Sequence, residues 1–281
     1  RRVLFRSHFP QPPLYPFQMP VMLMHGMGLM GTIGRKGMMD SIALFLRLHG
    51  CKAFAPNVAP YNHTEARALA WRAHLLRILQ ETGADKVHLM AHSLGGLDAR
   101  YLVSNLDMAA HVAQITTIAT PHHGSSLATL FLKQPKILTR TFTHFLDLTG
   151  KQSLPGTPSD AKKVLLQLTP EYMKTRFNPK VIDHPDVQYR SISSRAGKNT
   201  STHISPLLFT QNRLLFFAEG ENDGLVSVKS AHWSGNTETI NADHLTHICI
   251  APKAIKNNML DKYLIWALEA EGVLPDSLRA A

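Results

Sequence analysis

The chain lacks several features that would each settle a class. No apolar run approaches 18 residues, so nothing in it is long enough to cross a membrane as a helix. Only two cysteines occur in 281 residues, Cys51 and Cys249, far apart and in no metal-ligand spacing. Two buried thiols are the expected state, with one long-range disulfide as the alternative. Acids are scarce at the start: before Glu65 there is one, Asp40, against seven Lys or Arg. No internal repeat, low-complexity tract or nucleic-acid recognition motif accompanies the formal net charge of +10, and no Asp/Glu cluster suggests calcium. The expectation is therefore no metal, no cofactor and no nucleic-acid partner.

What is present is the material for a core. Apolar residues make up 44% and charged residues 18%, which excludes a disordered chain, and the length suits one large domain. The first residue is Arg1 rather than Met. A start further upstream is expected, a signal or transit peptide is not readable, and the compartment stays open.

Along the chain, residues 1–19 are rich in Pro and aromatics and read as an irregular arm. Val21–Met24 reads as a buried strand entering a Gly-rich turn, 38–49 as a helix stopped by Gly50, and Ala53–Ala55 as a short strand. Between Asn62 and Gln80 the apolar positions Ala68, Trp71, Leu75, Ile78 and Leu79 recur at helical spacing, with Asn62 and Glu65 as a capping pair and Gly83 as the stop. Strands follow at 86–90 and 112–119, separated by a helix over 96–105. Further strands are expected at 187–191 and 214–218, and a closing helix at 254–270. Strands alternating with helices predict an α/β fold with a mostly parallel sheet covered on both faces.

Two turns carry chemistry. Gly26-Met27-Gly28-Leu29-Met30-Gly31 matches the dinucleotide pattern G-x-G-x-x-G, but such a site needs an acid about 20 residues on for the ribose. None lies between Ser41 and Thr64. The same glycines suit a loop whose backbone N–H groups face a developing oxyanion. The second turn, Ala91-His92-Ser93-Leu94-Gly95, follows a strand and precedes a helix, the setting of a nucleophile elbow. Ala91 stands where the pattern usually has Gly, and is small enough to serve. In an ordinary strand-to-helix turn the same serine would be an N-cap.

A serine needs a base, and the base an orienting acid; on this fold they follow in the order serine, acid, histidine. Asp223, in the turn Asn222-Asp223-Gly224, is the acid expected just past a strand end. Asp243-His244-Leu245-Thr246-His247 then offers two candidate bases. His92 is adjacent to Ser93 and expected to point away from it.

These residues resemble those of the α/β-hydrolase triacylglycerol lipases, especially the bacterial true lipases. Four blocks match in order: Met24–Gly28, Ala91–Tyr101, Thr117–Ser125, and Asn222–Val226 followed by Asp243–Leu245. The resemblance implies an α/β-hydrolase fold with Ser93 as nucleophile, Asp223 as acid and His244, which precedes Leu, as base. It implies an oxyanion hole from the backbone N–H groups of Met27 and Leu94, an acylglycerol or other ester as substrate, a lipid–water interface as partner, and secretion. It departs at Ala91, at His123 in place of a common arginine, and at Thr246, where those lipases carry a calcium-binding acid. A single domain over 1–281 is expected, with a lid or cap insertion at about 125–180. There Leu138, Phe142, Phe145 and Leu146 are spaced as one apolar face beside Lys133, Lys136 and Arg140. A soluble-ester carboxylesterase and a catalytically silent lipid-binding hydrolase are the alternatives. Seven methionines fall between Met19 and Met39, beside the oxyanion loop, where they suit an acyl chain or a strand core.

Overall fold

The computed structural model describes residues 11–28, 37–153 and 159–279, with the side chains of Phe142, Phe145 and 149–153 excepted. The first ten residues of the arm, and Leu29, Met30 and Gly31 of the Gly-rich turn, lie outside these ranges.

Six strands form one parallel sheet in the order β2-β1-β3-β4-β5-β6. They are β1 (Val21–Met24), β2 (Ala53–Phe54), β3 (Val87–His92), β4 (Val112–Ile118), β5 (Gln188–Arg195) and β6 (Thr237–Asn241). Period-2 alternation explains why β1 is apolar throughout. Val21 and Leu23 enter a core formed with α1 (Asp40–Leu48) and α10 (Lys253–Glu271). Met22 and Met24 enter a second core, formed with α2 (Thr64–Thr82) and α3 (Leu94–Asn105). Both faces of the sheet are covered there.

Helix α2 ends at Gly83 in the left-handed conformation, φ 67°, as its sequence predicts. Its start differs. The Asn62–Glu65 capping pair does not form; Asn62 Oδ1 accepts from His63 N–H, and Gln167 reaches in from α6 (Ala161–Gln167) to accept from Thr64 N–H and donate to Glu65. A tertiary contact replaces the local cap.

Between β4 and β5 lie α4 (Ser126–Leu132), α5 (Lys136–Ser153), α6 and a short α7 (Pro170–Tyr172) that runs on into a π turn at Met173–Phe177. The strand expected at 214–218 is instead part of helix α8 (Phe209–Glu219). Asn212 and Leu215, three apart, face inward, while Leu214 and Phe217 stay exposed. Apolar residues on the outer side hid the helical period. A short α9 (Val228–Ala231) follows, and α11 (Asp276–Arg279) closes the described chain. The sequence reading missed β6, an edge strand in which Ile240 alone is fully buried.

Candidate active site

Each proposed reacting group stands beside the C-terminal ends of the parallel strands, where an open α/β sheet places its ligands. Ser93 follows β3 directly, with φ 56° and ψ −128°, a backbone conformation that L residues rarely adopt. Its Oγ makes no cap bond to α3. The turn is tight enough to dictate its neighbours: a Cβ on Gly26 would lie 2.6 Å from Ser93 Cβ, and one on Gly95 would lie 2.5 Å from the Met24 carbonyl oxygen. Ala91 is fully buried.

His244, in the loop after β6, joins two distant groups. Its Nδ1 lies 2.8 Å from Asp223 Oδ2 and its Nε2 3.0 Å from Ser93 Oγ. With Asp223 a carboxylate, Nδ1–H donates to it, and Nε2 accepts from the serine hydroxyl. Asp223 Oδ1 accepts from the N–H groups of Leu225 (3.0 Å) and Val226 (2.8 Å). Burial pushes the Asp223 carboxyl upward, but His244 and these hydrogen bonds outweigh it and hold the acid below its usual range. Asp223 does not follow a strand, as its sequence setting suggested; it follows α8, and the Ala196 N–H at the end of β5 pins the preceding carbonyl, Asn222 O, at 3.0 Å.

Two other candidates stand apart from Ser93. His247 Nε2 is 2.7 Å from Ser194 Oγ on β5, and makes no bond to the serine. His92 does not bond Ser93 either, but its ring packs 4.6 Å from that of His244. Burial drives the His92 imidazole well below its ordinary range, so it is a neutral aromatic wall. Nothing in the sequence signalled either contact, because both depend on strands distant in the chain.

The loop after β1 is clamped. His25 Nδ1 donates to Gly26 O at 2.8 Å, while its Nε2 accepts from Val58 N–H at 3.1 Å. Burial, aided by Arg67, holds His25 neutral with a pKa lowered to about 3. The Gly26 carbonyl and the Met27 N–H share one planar peptide and point opposite ways, so a pinned carbonyl fixes the N–H. Arg67 holds the preceding carbonyl, His25 O, at 2.6 Å, and is itself paired with buried Asp98 at 2.8 Å. Leu94, at the positive end of α3, supplies the other proposed donor.

Met27, Ser93, Leu94 and His244 all line a cavity of about 370 Å³ whose other walls are mostly apolar, among them Leu127 and Phe131 of α4, Leu165 of α6 and Leu214 of α8, with Ser125, Gln134 and Gln211 as the polar exceptions. Its mouth carries Leu130 and Leu214, 40% and 50% exposed, and nearby Phe217 is 75% exposed. A groove of about 730 Å³ at the other end of β5 and β6 is lined by Arg190, Glu238 and Glu269, which pair among themselves. The block Thr117–Ser125 is a strut: His122 bonds Thr117 Oγ1 at 3.0 Å, and Arg100 stacks 3.7 Å over Trp233. At Thr246, the N–H and hydroxyl donate to Asp243 Oδ1, which closes that turn from within. Among the described residues, no group of three His, Cys, Asp or Glu could hold a metal. Cys51 and Cys249 are both buried free thiols in the same core.

Comparison with known proteins agrees with the fold. A family model described as alpha/beta hydrolase fold matches residues 19–230. Triacylglycerol lipase 2 of Saccharomyces cerevisiae is 32% identical over 210 residues, covering 72% of this chain and 59% of its own length. The chain thus spans about three fifths of that relative. Among solved structures, a Bacillus licheniformis lipase in mature form superposes with a TM-score of 0.63 at 24% identity, covering 89% of this chain and 92% of that one. A metagenomic carboxyl esterase superposes at 0.71 and 20% identity, covering 94% and 78%. At such identities the likeness is one of fold.

Proposed function

The chain belongs to the alpha/beta hydrolase fold family, and on that premise we propose that it is a serine hydrolase of carboxylic esters, a lipase acting on acylglycerols. The observation that carries this reading is the bonded series Ser93–His244–Asp223 opening into an apolar cavity.

Ser93 Oγ attacks the acyl carbonyl carbon while its proton passes to His244 Nε2. Asp223 stabilises the imidazolium so formed. The carbonyl oxygen, now an anion, sits between the N–H groups of Met27 and Leu94, each donor worth about 3 kcal/mol in the transition state. Collapse expels the alcohol, which takes the proton from His244. A water then repeats the sequence on the acyl-enzyme, releasing the acid and restoring Ser93.

The helical insertion supports an acylglycerol over a short soluble ester. The first turn of α5 exposes Ile137 (76%) and Leu138 (54%), beside exposed Lys133, Lys136 and Arg140. Its later half is anchored, with Leu146 packed against Tyr61 and Ala161, and Asp147 accepting from Ala161 N–H at 2.8 Å. A helix tethered at one end and apolar at the other acts as a lid that meets a lipid–water interface. The side chains of Phe142 and Phe145, expected on the same face, lie outside the described residues.

The test is hydrolysis of p-nitrophenyl esters from acetate to palmitate, with and without emulsification, beside a Ser93→Ala variant. Activity that rises with chain length and at emulsions supports the lipase. Activity confined to acetate and butyrate makes it a carboxylesterase. No Ser93-dependent hydrolysis leaves a silent hydrolase fold.

A further inference from the structure

The proposed triad has a buried hydrogen-bonded extension that the ester-cleaving steps above do not use. Ser194, on β5 and 2% exposed, donates from Oγ to Asp223 Oδ2 at 3.2 Å. Because its proton goes to the carboxylate, its oxygen can only accept from His247 Nε2–H, 2.7 Å away. His247 is fully buried, and its Nδ1 has no hydrogen-bond partner among the described residues. The tautomer is therefore fixed with the proton on Nε2.

We infer that Ser194 and His247 are positioning residues that extend the series Ser93–His244–Asp223, with His247 locking the Ser194 hydroxyl in the orientation that donates to Asp223. The inference rests on the reading of Ser93, His244 and Asp223 as nucleophile, base and acid. A serine hydroxyl rotates freely unless its oxygen is held, and the donation from His247 holds it. Asp223 then receives a full set: two backbone N–H groups on Oδ1, and His244 Nδ1–H with Ser194 Oγ–H on Oδ2. The serine shares the negative charge that would otherwise fall on His244 alone. Asp223 thus stays ionised and aimed, without binding the imidazolium so tightly that His244 fails to return its proton.

The other titratable groups facing this cluster are His92 from β3, with its ring 5.7 Å from that of His247, Asp243 in the loop before His244, and His25 at the end of β1. None of them bonds Ser194. Neither Ser194 nor His247 lines the substrate cavity. Loss of their bonds is therefore expected in kcat and in the pH profile, with KM unmoved.

Removal of the Ser194 hydroxyl makes the carboxylate a stronger base toward His244. Protonated His244 is then favoured, and the acidic limb of kcat/KM moves to higher pH, by about half a unit to one unit. The experiment measures kcat and KM on p-nitrophenyl butyrate from about pH 5 to about pH 9, together with the low-field proton resonance of His244 Nδ1–H. The proteins are the wild type, Ser194→Ala, His247→Phe, His247→Gln and the double variant Ser194→Ala/His247→Phe. His247→Phe keeps the ring volume against His92 but removes the donor; His247→Gln restores an N–H.

The expected result is an upward shift of the acidic limb in Ser194→Ala and in His247→Phe. The double variant shifts no further than either single one, His247→Gln returns toward wild type, and the low-field resonance moves in Ser194→Ala. The two single variants remove the same device independently, so misfolding of one leaves the other to decide. An unmoved limb and resonance, additive shifts, or a change confined to KM or Tm overturns the inference. Ser93→Ala separates the two readings. Ser93-dependent hydrolysis with an unmoved limb sinks the extension alone, whereas a wild type with no Ser93-dependent hydrolysis sinks the triad and the extension with it.

Discussion

Ser93 has a positive φ without being glycine, and this strain lifts its hydroxyl off the end of β3 toward His244. Ser93→Ala keeps the turn and removes only the oxygen. It is expected to lower kcat by at least about a thousandfold and to abolish fluorophosphonate labelling, measured by mass spectrometry. His25 acts at one remove, through the Gly26 peptide. His25→Phe frees the Met27 N–H, so kcat should fall about tenfold with little change in KM on a soluble ester. An equal loss in Tm and activity with labelling unchanged would mean that the ring matters only for packing. The serine and its strand-to-helix setting were legible in the sequence because the elbow is local. The clamp by His25, the His92 wall and the Ser194 bond were not, since each joins β1, β3 or β5 to a residue far along the chain.

At the scale of elements, α4, α6 and α8 wall the cavity, and Ala128 is the one small residue they place in its lining. It stands on α4 and is only 6% exposed. Ala128→Phe places a ring in the acyl space, so the ratio of palmitate to butyrate hydrolysis should drop about tenfold; an unchanged ratio would put the acyl chain elsewhere. On the exposed side of α8, outside the cavity lining, Phe217→Glu should leave hydrolysis of soluble esters intact and reduce turnover at emulsions. The helix α8 also shows where periodicity misleads: Leu214-Leu215-Phe216-Phe217 reads as a strand because a helix that lines a cavity and also exposes apolar residues is apolar on more than one side. Strand β6 hides for the opposite reason, as an edge strand with little to bury.

The molecule as a whole buries uncharged histidines. Burial is the main cause that lowers His25 to about 3 and His247 to about 4, and it holds His92 and His122 well below their ordinary range. In the unfolded chain such groups titrate near about 6.5. Above that pH both states are neutral and the stability is full. As pH falls, the unfolded chain takes up protons first, so stability drops by about 1.4 kcal/mol per pH unit for each such histidine until the folded pKa is reached. Tm should therefore decrease between about pH 7 and pH 5, and His247→Gln should flatten the decline. A Tm constant across that interval would contradict the neutral, buried state.

By itself the sequence determined the alternation of strands and helices, the elbow at Ser93 and the order serine, acid, histidine. These are written in short-range patterns of size, polarity and turn chemistry. Short-range pattern left His244 and His247 as two candidate bases and the resemblance favoured His244; the tertiary structure brings His244 to Ser93 and turns His247 to Ser194 on β5. It decided too that a run of apolar residues became a helix beside the cavity. Contacts between residues far apart in the chain obey packing and hydrogen-bond geometry, and no local pattern encodes them.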